Sequence, residues 1–154
     1  MSAHTDSSVF IDADIDTVWD LTNRVEDWAS LFPEYSSAEV LERTQDTVRF
    51  RLTMHPDENG NAWSWVSERR LYPAERRVVA RRLELGWYRH MDIEWTYQRE
   101  GTGTRMRWVQ DFAMRDDSPF DDAAMAARIT TNSKIQMDAI RQKVERAAAL
   151  EETS

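Results

Sequence analysis

Hydrophobic and polar residues alternate through most of the middle of the chain. Val48-Arg-Phe50-Arg-Leu52-Thr-Met54 is apolar at every second position, which is the period of a half-buried β-strand. The same criterion predicts strands over Val9–Ile11, Ala38–Arg43, Thr47–His55, Ala62–Tyr72, Arg76–Leu85, Tyr88–Gln98 and Thr104–Met114. Pro56-Asp-Glu-Asn59-Gly60 and Gly101-Thr-Gly103 mark turns between them. Ile15–Thr22 shifts to helical spacing, with Asp12 or Asp14 as candidate N-cap. Val25, Trp28, Leu31 and Phe32 keep that spacing until Pro33 breaks it. Ser118-Pro119 predicts the opening of a long helix to about Ala149, with serine as N-cap and proline in the first turn. Met125, Ile129, Ile135, Ile140 and Val144 supply its apolar face, and Arg128, Asn132 and Gln136 a polar row. One strand, two short helices, six strands and a long helix predict an α+β grip. In it a curved antiparallel sheet of about seven strands wraps around the terminal helix and leaves an interior cavity.

The inward face of that sheet carries the candidate chemistry. Trp63, Trp65, Ser67 and Arg69 share one face of a strand, and Met91, Ile93 and Trp95, then Met106, Trp108 and Gln110, continue the pattern. Trp28 and Phe32 stand opposite on the short helix. A single tryptophan is ordinary core material. Four indoles with one guanidinium and one hydroxyl suit a pocket for a flat, oxygenated, apolar ligand. Glu68, Asp92, Glu94 and Asp111 alternate onto the opposite face, so no strand carboxylate is placed to pair with Arg69. An unpaired guanidinium in an apolar cleft is costly, and it should meet water or ligand oxygens unless Glu34 or another loop acid reaches it. Tyr35 follows the short helix and is either an ordinary half-buried tyrosine or a hydroxyl over the cavity mouth.

Composition narrows the classes. A chain of 154 residues with 41% hydrophobic and 31% charged residues fits a single globular domain over 1–154. A net charge of −8 argues against nucleic acid as a partner. Cysteine is absent, which removes thiol nucleophiles and disulfides. No apolar run is long enough for a membrane span and no secretory leader is visible, so the expectation is a cytoplasmic protein without a membrane partner. His4, His55 and His90 lack ligand spacing, so no metal is expected. The four glycines form no phosphate loop. Ser67 has no supporting histidine, which disfavours acyl-enzyme chemistry. Asp116-Asp117 and Asp121-Asp122 read as carboxylates favoured at a helix start.

His4-Thr-Asp6, Val18-Trp-Asp20, Thr22-Asn23, Trp28, Leu31-Phe32, Glu34-Tyr35, Arg51-Leu52, Pro56-Asp57, Asn59-Gly60, Trp63, Trp65-Val66-Ser67, Arg69, Trp95-Thr-Tyr97, Met106-Arg-Trp-Val-Gln110 and Pro119-Phe-Asp121 together resemble the single-domain aromatase/cyclases of bacterial type II polyketide synthases, of the tetracenomycin and spore-pigment kind, in the START-like helix-grip superfamily. The resemblance spans almost the whole chain. It implies a linear poly-β-ketone tethered by phosphopantetheine to an acyl carrier protein, other synthase components as partners, and no cofactor. It also implies regioselective aldol closure of the first ring followed by dehydration. The family's pocket positions correspond to Trp28, Phe32, Tyr35, Trp63, Trp65, Ser67, Arg69, Met91, Trp95 and Trp108; Arg128 and Asn132 of the long helix's polar row are further substrate-binding candidates. Arg128 departs from a histidine in the tetracenomycin-type member; it either adds a second pocket guanidinium or points to solvent. Arg69 is the expected oxyanion stabiliser and Tyr35 the expected proton relay. Arg76, Arg77, Arg81, Arg82 and Arg89 are candidates for docking the acidic carrier protein. The competing reading is a non-catalytic START-like carrier of an apolar or aromatic ligand.

Overall fold

The computed structural model describes residues 2–153. Its strands are β1 (Ala3–Ile11), β2 (Tyr35–Arg43), β3 (Thr47–Met54), β4 (Ser64–Tyr72), β5 (Arg77–Arg82), β6 (Tyr88–Glu100) and β7 (Gly103–Met114). They form one antiparallel seven-stranded sheet in the order β1-β7-β6-β5-β4-β3-β2. The helices are α1 (Ile15–Thr22), α2 (Trp28–Leu31) and the long α3 (Asp122–Thr153). The sheet curls and α3 lies across its inner side, packed mainly on β1, as the helix-grip reading expects. No helix among the described residues is long and apolar enough to cross a membrane.

Local chemistry explains the boundaries. Asp14 caps α1 by accepting a bond from the Asp16 amide at 3.0 Å. The segment after it is a 3-10 turn, Val25–Asp27, followed by the single turn of α2. Phe32 is already extended (φ −99°, ψ 122°), as the residue before a proline must be. β1 is longer than the predicted Val9–Ile11, because its polar half pairs with β7 from Ala3↔Phe112 to Ile11↔Thr104. β5 is shorter than predicted. Arg76 sits in the left-handed region (φ 51°) after the 3-10 turn Pro73–Glu75, and the Leu83 and Glu84 amides converge on the Val66 carbonyl at 2.8 and 3.2 Å.

The start of α3 also differs from the expectation. Ser118 does not cap it; its hydroxyl accepts from the Phe120 amide at 3.1 Å and closes a turn. Asp121 caps instead, accepting from the Ala124 amide at 2.7 Å. Asp122 accepts from the Met114 amide at 2.8 Å, tying the helix start to the end of β7. A carboxylate at an N-terminus gains the helix dipole as well as the hydrogen bond. The core divides in two. Met137, Ile140 and Val144 of α3 join the main cluster with Ile11, Val18, Val25, Phe50 and Trp95. Met125, Ala126 and Ile129 pack on a second cluster of Met91, Phe112 and Met114. Ile135, expected inside, is 55% exposed, because it lies about 160° around the helix from Met137.

Candidate active site

Arg69 points inward from β4, paired with Val48 on one side and Ala80 on the other. The residue is 2% exposed. Its guanidinium lies between two indoles, 4.7 Å from the Trp28 ring centre and 4.3 Å from that of Trp95. It donates one hydrogen bond, from Nη2 to Asn23 Oδ1 at 2.7 Å, and its Nε has no partner. No ion pair to Arg69 is present among the described residues. Glu68 is held by Arg49 at 3.0 Å, Glu94 by Arg77 at 2.7 Å and Asp111 by His4 at 2.7 Å, all on the outer face. Burial therefore pushes the Arg69 pKa down to about 10. Glu34 does not rescue it; the neutral Asn23 does.

Most of the aromatic residues expected to line a cavity pack on one another. Trp95 and Trp108 stack at 4.6 Å with 13° between planes. Trp28 stacks on Trp95 at 5.8 Å and Phe32 on Trp108 at 6.0 Å. Tyr35 leans on Phe32 at 5.0 Å and meets Trp65 edge-on at 6.2 Å. Large rings find apolar partners most readily in one another, and offset or tilted geometries are their preferred contacts. Trp108 Nε1 and Gln136 Oε1 are buried without partners, like Arg69 Nε. Gln136 belongs to the polar row of the terminal helix, and its spacing alone does not mark it as a pocket residue.

Other expected lining residues separate. Ser67 is buried on the Arg69 face. Trp63 is 52% exposed, because β4 begins one residue later and leaves it outside the alternation. Met91 faces inward but belongs to the second core cluster. Arg128 is exposed, with its guanidinium 5.2 Å from the Phe120 ring, so it takes the solvent-facing option. Asn132 is half-buried.

The Glu34 carboxylate neighbours the Tyr35 hydroxyl. Burial, then that negative neighbour, raise the Tyr35 pKa well above the usual phenol value. Burial likewise raises the pKa of Glu34. Arg82 is a correction to the docking set: it faces inward, 4.7 Å from the Trp65 ring and 4.9 Å from that of Tyr88, with its Nε donating to the Glu84 carbonyl at 3.2 Å. Val78, Ala80 and Arg82 alternate, so period two alone places it there. The other candidates bear acidic partners: Arg76 with Asp16, Arg77 with Glu94, Arg81 with Glu68 at 3.9 Å and Arg89 with Asp116 at 3.0 Å. Asn23 also borders an open cleft of about 510 Å³, shared with Arg43, Thr44, Val48, Leu71 and Pro73.

Residues 11–139 match the family described as polyketide cyclase/dehydrase and lipid transport. A Streptomyces cyaneus protein described as a polyketide cyclase is 53% identical over 145 residues, which cover 94% of this chain and 95% of that one. The crystal structure of the Zhui aromatase/cyclase from Streptomyces sp. R1128 superposes with a TM-score of 0.83 at 26% identity, over 95% of each chain. A START superfamily protein from Mycobacterium smegmatis shares the fold, with a TM-score of 0.70 at 13% identity over 96% of this chain and 97% of its own.

Proposed function

The chain belongs to the polyketide cyclase/dehydrase and lipid-transport family, and from that premise we propose that it is an aromatase/cyclase closing the first ring of a carrier-protein-tethered poly-β-ketone by a cofactor-independent aldol condensation. The carrying observation is the buried, unpaired guanidinium of Arg69 held between two indoles. In the condensation a carbon between two carbonyls loses a proton and becomes an enolate. It bonds to a ketone carbon, whose oxygen takes up the charge and then a proton. Loss of that oxygen as water, with enolisation, gives the aromatic ring. No electron acceptor enters the balance.

Negative charge thus forms on oxygen twice, and both times a fixed cation in a water-poor site stabilises it. One such donor is worth about 3–4 kcal/mol. Arg69 supplies it through Nε and the remaining guanidinium edge, and it stays charged throughout at neutral pH. The proton leaving carbon passes to the Tyr35 oxygen as the phenol proton passes to the Glu34 carboxylate, and the reverse transfer protonates the new alkoxide. Tyr35 thus ends each step as the neutral phenol that burial favours. Trp65 and Ser67 hold carbonyl oxygens. The indole N–H of Trp108 and the amide oxygen of Gln136 offer a donor for a ketone and an acceptor for an enol. Entry of the polyketide exchanges ring–ring contacts for ring–substrate contacts, so little apolar surface is newly wetted.

Reconstitution with a minimal synthase and its acyl carrier protein tests this reading. Substoichiometric protein is expected to shift products from spontaneous shunts to one cyclised series. Arg69→Ala should cost about a hundredfold or more in that partition. A product shift only at stoichiometric amounts would favour the carrier reading instead.

A further inference from the structure

We infer that Asn23 is a positioning residue for the reaction: a neutral clamp that fixes the Arg69 guanidinium without neutralising it. The inference rests on the proposal that Arg69 stabilises the oxyanion. Asn23 stands at the C-terminal end of α1, where its backbone N–H bonds to the Asp20 carbonyl at 3.4 Å. Its side-chain Nδ2 donates to the Trp19 carbonyl at 2.8 Å and approaches the Tyr97 hydroxyl at 3.4 Å. Its Oδ1 accepts from Arg69 Nη2 at 2.7 Å. The amide orientation is forced, because a guanidinium only donates and a main-chain carbonyl only accepts. Asparagine meets the two neighbours from separate atoms, whereas an ionised aspartate has no donor for the Trp19 carbonyl.

Apart from Arg69, the groups that bond to this clamp are neutral: the Trp19 carbonyl and the Tyr97 hydroxyl. Tyr97 shares a hydrogen bond with Thr22 at 2.7 Å, and burial raises its pKa, so it is uncharged. The Thr22 hydroxyl also donates to the Val18 carbonyl at 2.7 Å, and the Trp28 indole donates to the Thr22 carbonyl at 3.1 Å. The end of α1 thereby holds both the guanidinium and one of the two rings that sandwich it. A carboxylate in place of Asn23 would make a buried ion pair, the usual answer to an isolated arginine. That pair would occupy the field an oxyanion needs. Orientation without charge compensation is the property that distinguishes this contact from an ordinary structural one.

The experiment is a double-substitution cycle in the reconstituted system, reading the ratio of correctly cyclised to shunt product, with folding of each variant checked by its melting curve. Asn23→Ala is expected to lower the ratio about ten- to a hundredfold by releasing the guanidinium. In an Arg69→Ala background the same change should add no further loss, because there is nothing left to position. Asn23→Asp, nearly the same size, should also lose the ratio although it still accepts from Arg69. An equal loss from Asn23→Ala in both backgrounds would reduce the residue to a structural one. Wild-type selectivity in Asn23→Asp would refute the need for neutrality. Wild-type selectivity in Arg69→Ala would instead sink the underlying reading of Arg69, a result separable from the other two.

Discussion

Arg69→Met is expected to make the protein more stable while abolishing its chemistry. Burial lowers the guanidinium pKa to about 10. At about 1.4 kcal/mol per tenfold change in proton affinity, holding the charge there costs about 3 kcal/mol. The indoles of Trp28 and Trp95 give back about 2 kcal/mol through desolvated cation–π contact. Methionine fills a similar volume, adds sulfur–aromatic contact, and leaves Asn23 able to meet water through the neighbouring cleft. The net expectation is a gain of about 1 kcal/mol, or about 2–4 °C in melting temperature for a chain of this size. Arg69→Lys should move the other way by about 2 kcal/mol, since the ammonium keeps the charge, is more strongly hydrated and cannot lie flat between two rings. The folded-state pKa is below the unfolded one, so the unfolded chain binds the proton more tightly. The penalty is therefore complete at every pH below about 10 and fades only as pH rises towards the unfolded value. Urea or thermal unfolding of the three proteins should show a Met–Arg difference that is constant across neutral pH. If Arg69→Met lost 2 kcal/mol or more, the guanidinium would be a net contributor to the fold, and its description as a charge held in reserve for substrate would be wrong.

Tyr35→Phe should reduce correct cyclisation less than Arg69→Ala, because water can replace a hydroxyl in part; with Tyr35 present, the rate should show no break at the ordinary phenol pKa, read from the pH profile of the reconstituted reaction. Trp95→Ala should cost about 3–5 kcal/mol in chemical denaturation, whereas exposed Trp63→Ala should stay within about 0.5 kcal/mol and leave the product ratio unchanged. Asp121→Ala should cost about 1 kcal/mol by removing the cap of α3, while Ser118→Ala should be nearly silent.

The bounds of α1 and the alternation of β3 and β4 follow directly from the spacing of apolar residues, and so does the inward direction of Arg69. Failures occurred where a local signal had a competitor. Ser118-Pro119 is a good helix opening, but a turn closed on Ser118 leaves the cap to Asp121. Trp63 continues the pattern of Trp65 on paper, yet the strand has not begun there. Charge pairing is the common solution for a buried arginine and points to an acid as the partner of Arg69. An amide at the end of a helix, contiguous with Thr22 and four residues after Trp19, gives no charge signal. Nor does alternation say whether a ring lines a space or fills it; that depends on how rings from β6, β7 and α2 meet, a tertiary fact.

The near-parallel pair of Trp95 and Trp108 has a further consequence. Two indoles this close share their electronic excitations, and the cation above one of them shifts its energy levels. A molecule that slides between the rings alters the first effect, and one that draws Arg69 away alters the second. The protein consequently carries its own optical gauge of occupancy, readable as near-ultraviolet circular dichroism or emission colour with no label attached. Substitution of either tryptophan by phenylalanine would silence the coupled signal while keeping an aromatic wall. Arrival of a ligand and progress of the ring closure become separable events on one sample, followed in real time by light alone.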